Sequence, residues 1–184
     1  MKITETGIKD LLIIEPKIFE DSRGYFFEAY NSETFKNAGI DICFNQDNQS
    51  KSSYGVIRGL HYQLEPHAQT KLIRVMEGEI YDVAVDLRAN SPTYGKWFGI
   101  TLNSTEKKQF LIPRGFAHGF SVLSETAVIL YKCDRVYNKE SERGIAYNDP
   151  SLAINWFIEP SKILLSERDL NFPNLQNAEK NFSL

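Results

Sequence analysis

The chain of 184 residues carries a formal net charge of −3 at pH 7, with 42% hydrophobic and 24% charged residues. That is enough chain for one domain with a sizeable core that needs neither disulfide nor metal for stability. The slightly acidic balance excludes a nucleic-acid platform, which requires an excess of phosphate-neutralising cations, but not a few arginines gripping a small phosphorylated ligand.

At the N-terminus, MKITETGIKDLLIIEPK has only a four-residue apolar run, too short for a secretory core, and no stretch approaches the ~20 apolar residues of a membrane helix. A soluble, cytoplasmic chain with no membrane partner is expected. NSETFKNAG (31–39) predicts a short helix, with Asn31 or Ser32 as cap and Gly39 closing it. From about residue 42 to residue 136 apolar and polar residues alternate with period two, which predicts strands. KLIRVMEGEIYDVAVDLR reads as a hairpin turning near Glu77-Gly78-Glu79, with Tyr81–Arg88 as a half-buried strand whose odd positions are apolar. WFGITL (97–102), QFLIP (109–113), HGFSVL (118–123) and TAVILYKC (126–133) continue the pattern. A second short helix is predicted after Ser166, and NAEKNFSL (177–184) reads as a peripheral tail. Cys43 and Cys133 form no CxxC pair and read as free thiols. Many short strands, few helices and no βαβ rhythm predict an all-β sandwich or barrel, one domain over residues 1–184.

Strand alternation sorts the polar residues by face. In RGLHYQ (58–63), His61 shares a side with Ile57, Gly59 and Gln63, and strict alternation places Arg58 opposite. Either Gly59 permits a bulge that re-aims one of them, or Arg58 serves another face or subunit. Lys71 lies with Ile73 and Val75, Tyr131 with Ala127 and Ile129, Glu28 with Phe26 and Tyr30, and Gln46 with Asn48 and Ser50. Burying so many polar groups without partners costs kcal/mol each, so an interior wet cavity for a polar ligand is expected. Taken singly, His61 and Tyr131 also read as core residues with satisfied polar ends. Asp21–Gly24 reads as a turn and Glu140–Arg143 as a solvated charge run. Lys71 on an apolar face is harder to dismiss. A histidine and a lysine on one cavity suit proton abstraction beside a carbonyl, the imidazole taking the proton and the ammonium holding the enolate.

Pro113-Arg114-Gly115-Phe116-Ala117-His118 resembles the second box of the cupin β-barrels, whose histidine often binds a metal. In the first box, His61 would have Gln63 as its partner and Lys71 in the glutamate position, and His67 does not restore the spacing. An ammonium in place of the third ligand repels a cation, so the expectation is a cupin barrel with no metal.

Nine segments in order are similar to the dTDP-4-dehydrorhamnose 3,5-epimerases over nearly the full length: residues 16–31, 45–50, 56–63, 68–75, 83–97, 112–120, 131–137, 148–156 and 165–169. The resemblance implies a cupin-type jelly roll, a homodimer exchanging N-terminal strands, and catalysis without a cofactor. It implies that dTDP-4-dehydro-6-deoxy-D-glucose is inverted at carbons 3 and 5 to dTDP-4-dehydro-L-rhamnose, in the supply of L-rhamnose for cell-surface polysaccharide. It makes His61 the base, Tyr131 the proton donor, Asp169 the partner that holds the imidazole tautomer, and Lys71 the enolate stabiliser. Arg23, Arg58 and His118 would meet the phosphates. Glu28, Gln46 and Asn48 would read the base and sugar, and Tyr137 would stack on thymine. Phe26, Asp47, Glu142 and Arg168 complete the implied substrate contacts. Two positions depart from the family pattern, Arg168 where lysine is usual and Thr70 where glycine is common. A relative inverting one carbon of another deoxysugar, a metal-dependent cupin enzyme and a binding module without catalysis are the alternatives.

Overall fold

The alternating apolar faces find their partners across a sandwich. The computed structural model describes residues 1–184. Its strands are β1 (Lys2–Glu5), β2 (Leu12–Glu15), β3 (Phe19–Asp21), β4 (Gly24–Phe26), β5 (Gln46–Ser53), β6 (Ile57–Gln63), β7 (Lys71–Glu77), β8 (Glu79–Asp86), β9 (Trp97–Asn103), β10 (Gln109–Ile112), β11 (Phe116–Val122), β12 (Thr126–Cys133) and β13 (Glu142–Gly144). The helices are α1 (Ser32–Asn37) and α2 (Glu167–Leu170). One sheet runs β1-β2-β10-β7-β12-β5, the other β13-β6-β11-β8-β9, and β3-β4 form a separate hairpin. From β5 to β13 the chain passes repeatedly between the two sheets, as a jelly roll does.

The expected hairpin at Glu77-Gly78-Glu79 is a corner instead. β7 pairs with β10 and β12 while β8 pairs with β9 and β11. The reason is burial: Ile73 and Val75 of β7 and Ile80 and Ala84 of β8 belong to one core cluster. Their apolar faces oppose each other across the sandwich, which strands side by side in one sheet cannot do. That cluster, with Phe110, Phe116, Val122 and Ile129, fills one end of the barrel.

The strand Tyr81–Arg88 is also not half-buried. Val83 and Val85 pack outward into a second cluster with Ile145, Leu152, Trp156, Ala178 and Phe182. The C-terminal segment covers the outer face of this sheet, so the inward Asp82 and Asp86 are fully buried as well. The tail 177–184 is therefore not peripheral. Phe182 is buried, Ser183 bridges to Ala89, and the Glu179 carbonyl accepts from the Tyr62 hydroxyl at 2.6 Å.

Both predicted helices form. The Asn31 side chain accepts from the Glu33 and Thr34 amides to start α1, and the Ser166 side chain accepts from the Asp169 amide to start α2. Phe35 of α1 joins Ile14, Ile40, Leu72 and Leu111 on the outer face of the first sheet. Cys43 and Cys133 are both free thiols. No helix is long and apolar enough to cross a membrane.

Candidate active site

The end of the barrel not filled by the apolar cluster holds a cavity of about 400 Å³. Strands from both sheets supply its wall. Gln46, Asn48 and Ser50 come from β5, Arg58 and His61 from β6, Lys71 from β7, His118 from β11 and Tyr131 from β12. Tyr137, Glu142 and Arg168 close its rim. Polar side chains thus take the inward positions that apolar ones hold at the other end.

Arg58 and His61 face this cavity together, and the break in alternation falls between them. The β6–β11 register shifts between His118 and Phe120, opposite Gly59, whose φ is +119°. A Cβ there would stand 2.5 Å from the Gly119 Cα, so only glycine fits. The irregularity sends Ile57, Leu60 and Tyr62 to the outer cluster and both polar residues inward. His61 therefore does not share a face with Ile57, as strict alternation had predicted.

His61 Nε2 stands 2.5 Å from Asp169 Oδ1. Asp169 is buried; a carboxylate accepts, so Nε2 carries the proton and Nδ1 is left as the basic nitrogen. Burial works to raise the Asp169 pKa, but the His61 bond and charge, the Ser166 hydroxyl and Arg168 outweigh it, and the group titrates below the ordinary range. The Phe172 ring meets the imidazole edge-on at 5.5 Å and fixes its plane.

Arg168 bridges the rim. Its Nη1 donates to Glu142 Oε2 at 2.7 Å, and its Nη2 lies 3.3 Å from His61 Nε2. Tyr137 donates its hydroxyl proton to the same Glu142 oxygen at 2.8 Å. Arg58 donates from Nε to the Ser52 hydroxyl at 3.1 Å. Deeper in, burial lowers the Lys71 pKa, opposed by Cys133, Asp82 and Glu142. Burial raises that of Tyr131, with Cys133 adding to the rise and Arg58 opposing it. At neutral pH the phenol keeps its proton.

Some predicted site residues lie elsewhere. Asp47 points to the opposite face of β5 and pairs with Lys132 at 3.0 Å, because its odd position alternates with the inward Gln46 and Asn48. Arg23 sits at the tip of the β3–β4 hairpin, bonded to Asp21 at 2.6 Å. Phe26 is 71% exposed, and Glu28 accepts from Asn31 and Thr34 beside α1. None of these four lines the cavity of its own chain. His118 does line it, but buried on the wall with its Nε2 held 2.6 Å from Asp82 Oδ1, rather than at the rim where Arg58 and Arg168 present their guanidinium groups. Gln63, in the position of a cupin metal ligand, has both ends of its amide engaged. It donates to the His67 carbonyl and accepts from the Asn138 amide, each at 2.7 Å. Asp82 was missed by sequence reasoning, since alternation had assigned it to a solvated face.

A model of the family described as dTDP-4-dehydrorhamnose 3,5-epimerase matches residues 5–177. The chain belongs to this epimerase family. It is 50% identical over 180 residues to the dTDP-4-dehydrorhamnose 3,5-epimerase of Shigella flexneri, covering 97% of this chain and 98% of that one. The crystal structure of the Elizabethkingia anophelis enzyme of the same name superposes with a TM-score of 0.92 at 55% identity, covering 96% of this chain and 97% of that one. A dTDP-6-deoxy-D-glucose-3,5-epimerase from Legionella pneumophila, solved in complex with dTDP-4-keto-L-rhamnose, gives a TM-score of 0.92 at 47% identity, with coverage of 96% and 93%. The two sheets are accordingly the cupin-type jelly roll of this epimerase family, an isomerase scaffold.

Proposed function

We propose that the chain converts dTDP-4-dehydro-6-deoxy-D-glucose to dTDP-4-dehydro-L-rhamnose by inverting carbons 3 and 5, in the supply of L-rhamnose for cell-surface polysaccharide. The observation that carries this reading is the His61–Asp169 pair at 2.5 Å, sharing one cavity with Tyr131 and Lys71.

Carbons 3 and 5 both flank the carbon-4 ketone, so the substrate itself supplies the acidity and no cofactor is required. His61 Nδ1 takes the proton from carbon, and the electron pair moves onto the ketone oxygen as an enolate. Lys71 meets that oxygen with its ammonium, and Asp169 stabilises the imidazolium. Tyr131 then gives its proton to the opposite face of the carbon. Each inversion moves one proton from phenol to imidazole, so both groups exchange with solvent before the second carbon reacts.

The two arginines on the rim, Arg58 and Arg168, suit the paired oxygens of a diphosphate. Tyr137, Gln46 and Asn48 suit thymine and its sugar. The depth of His118 fits the sugar end instead of a phosphate. Arg23, Phe26 and Glu28 are read as serving the cavity of a second copy in a homodimer that exchanges its N-terminal arm. The exposure of Phe26 and of Arg23 at the arm's tip supports this. The cytoplasm, where nucleotide sugars are made, is the expected compartment.

Incubation with the dTDP-4-keto sugar in D₂O, read by NMR, tests the reading. Deuterium is expected at both carbons, and label at one alone would favour the single-centre epimerase. His61→Asn should abolish exchange at both positions, and undiminished exchange would remove His61 from the role of base.

A further inference from the structure

Lys71 lines the cavity, yet no bond within the chain holds its end. Its ammonium has no hydrogen-bond partner in the protein, and a flexible four-carbon stem leaves such a group several rotamers. Where the ammonium points is therefore set by the backbone at its root. Lys71 is the first residue of β7, flanked by Ile112 of β10 on one side and Cys133 of β12 on the other. Those two residues end their own strands. The chain leaving each strand supplies one half of an ion pair that closes over the start of β7.

Arg114, in the turn after β10, donates from Nε and Nη2 to Asp134 Oδ2 at 3.0 and 2.7 Å. Asp134, which follows β12 directly, is buried. Its Oδ1 accepts from the Thr70 amide at 2.7 Å, and its own amide donates to the Thr70 carbonyl at 3.2 Å. One residue thus grips both polar groups of the Thr70 backbone, immediately before Lys71. Both carboxylate oxygens are committed, and hydrogen bonds to an ionised group are the stronger kind. Thr70 is itself buried and stands where the family commonly has glycine, so its side chain removes backbone freedom at the same joint. Thr70, Arg114 and Asp134 all lie outside the cavity lining.

We propose that Asp134, locked by Arg114, is a positioning residue that fixes the peptides on either side of Thr70 and so aims the Lys71 ammonium at the enolate oxygen. The proposal rests on the reading of Lys71 as the enolate's partner. A stabilising charge works only where it already stands when the electron pair arrives. A displacement of about 1 Å can cost about 100-fold in rate. Loss of Asp134 frees the joint without removing any group that lines the cavity, so substrate binding is spared and the chemical step is not.

A double-mutant cycle with Lys71 is the test, because an effect that acts through Lys71 vanishes once the lysine is gone. Asp134→Ala should lower kcat about 30-fold with KM little changed. Lys71→Met should lower it about 100-fold or more, and wash-out of the substrate's protons in D₂O, followed by NMR over hours, still reads that residual rate. In the Lys71→Met background, Asp134→Ala should cost no more than about 2-fold further. An equal loss in both backgrounds, or an unchanged kcat in the single variant, overturns the role of Asp134. Should the alanine variant not fold, Asp134→Asn goes through the same cycle. It keeps an acceptor for the Thr70 amide but loses the charge that Arg114 locks, so a loss of about 5-fold is expected with the lysine present and none without it. Wild-type kcat in Lys71→Met instead overturns the enolate reading beneath the proposal, so the two failures are distinguishable.

Discussion

Tyr131 shows how burial selects a catalytic proton donor. Its position on β12 follows the apolar Ala127 and Ile129 toward the barrel interior, and desolvation keeps the phenol protonated at neutral pH. Tyr131→Phe removes the donor but not the base. In D₂O the variant should retain wash-out of the substrate's protons while inversion falls by about 10²–10⁴-fold. Equal loss of both would show that Tyr131 serves binding or structure. Lys71 and Tyr131 were legible in the sequence because each puts a polar group on the face its strand otherwise gives to apolar residues, whereas His61 was singled out by the same argument although Ile57, its supposed companion, turns to the opposite face. Asp169 was not legible that way. It is the third residue of a four-residue helix far along the chain from His61, and only the family resemblance joined the two. Asp82 was hidden because the argument that polar positions face water fails once the C-terminal segment covers the other side of β8.

At the scale of elements, the strand boundaries were largely written in the alternation, but their partnering was not. Period two states that a strand has two faces, not which sheet it joins, and so β7 and β8 read as a hairpin. The irregularity in β6 was legible as an alternative, since glycine between a cation and a histidine permits a change of face. Gly59→Ala tests how much depends on it. The new Cβ meets the β11 backbone at the Gly119 Cα, 2.5 Å away, in a strand junction with no room to open, and φ of +119° disfavours any side chain. A loss of at least about 2 kcal/mol in unfolding free energy is expected by denaturant titration. Retained wild-type stability would mean that β6 can pair with β11 without the irregularity.

For the whole molecule, the N-terminal arm and the cavity make opposite demands. The arm presents Phe19, Tyr25 and Phe26 to solvent, while the cavity's rim draws on no residue of the arm. If each copy lends its arm to the other, two differently damaged copies can repair one another. Arg23→Ala and His61→Asn, each inactive as a pure dimer, should regain activity when unfolded and refolded together. The mixture should reach about one quarter of wild type, because half the dimers are mixed and each of those has one intact site. No recovery would assign Arg23 to its own chain's site or to no site. The covering of the second sheet also sets an order on biosynthesis. Residues 145–182 leave the ribosome after every strand from β1 to β13, so Val83 and Val85 have no cover while the barrel is being made. The same late segment delivers Asp169 to His61. A nascent barrel is thus both sticky on one face and catalytically silent until its own C-terminal stretch wraps around it, which makes chaperone demand and the onset of activity two readings of a single docking event.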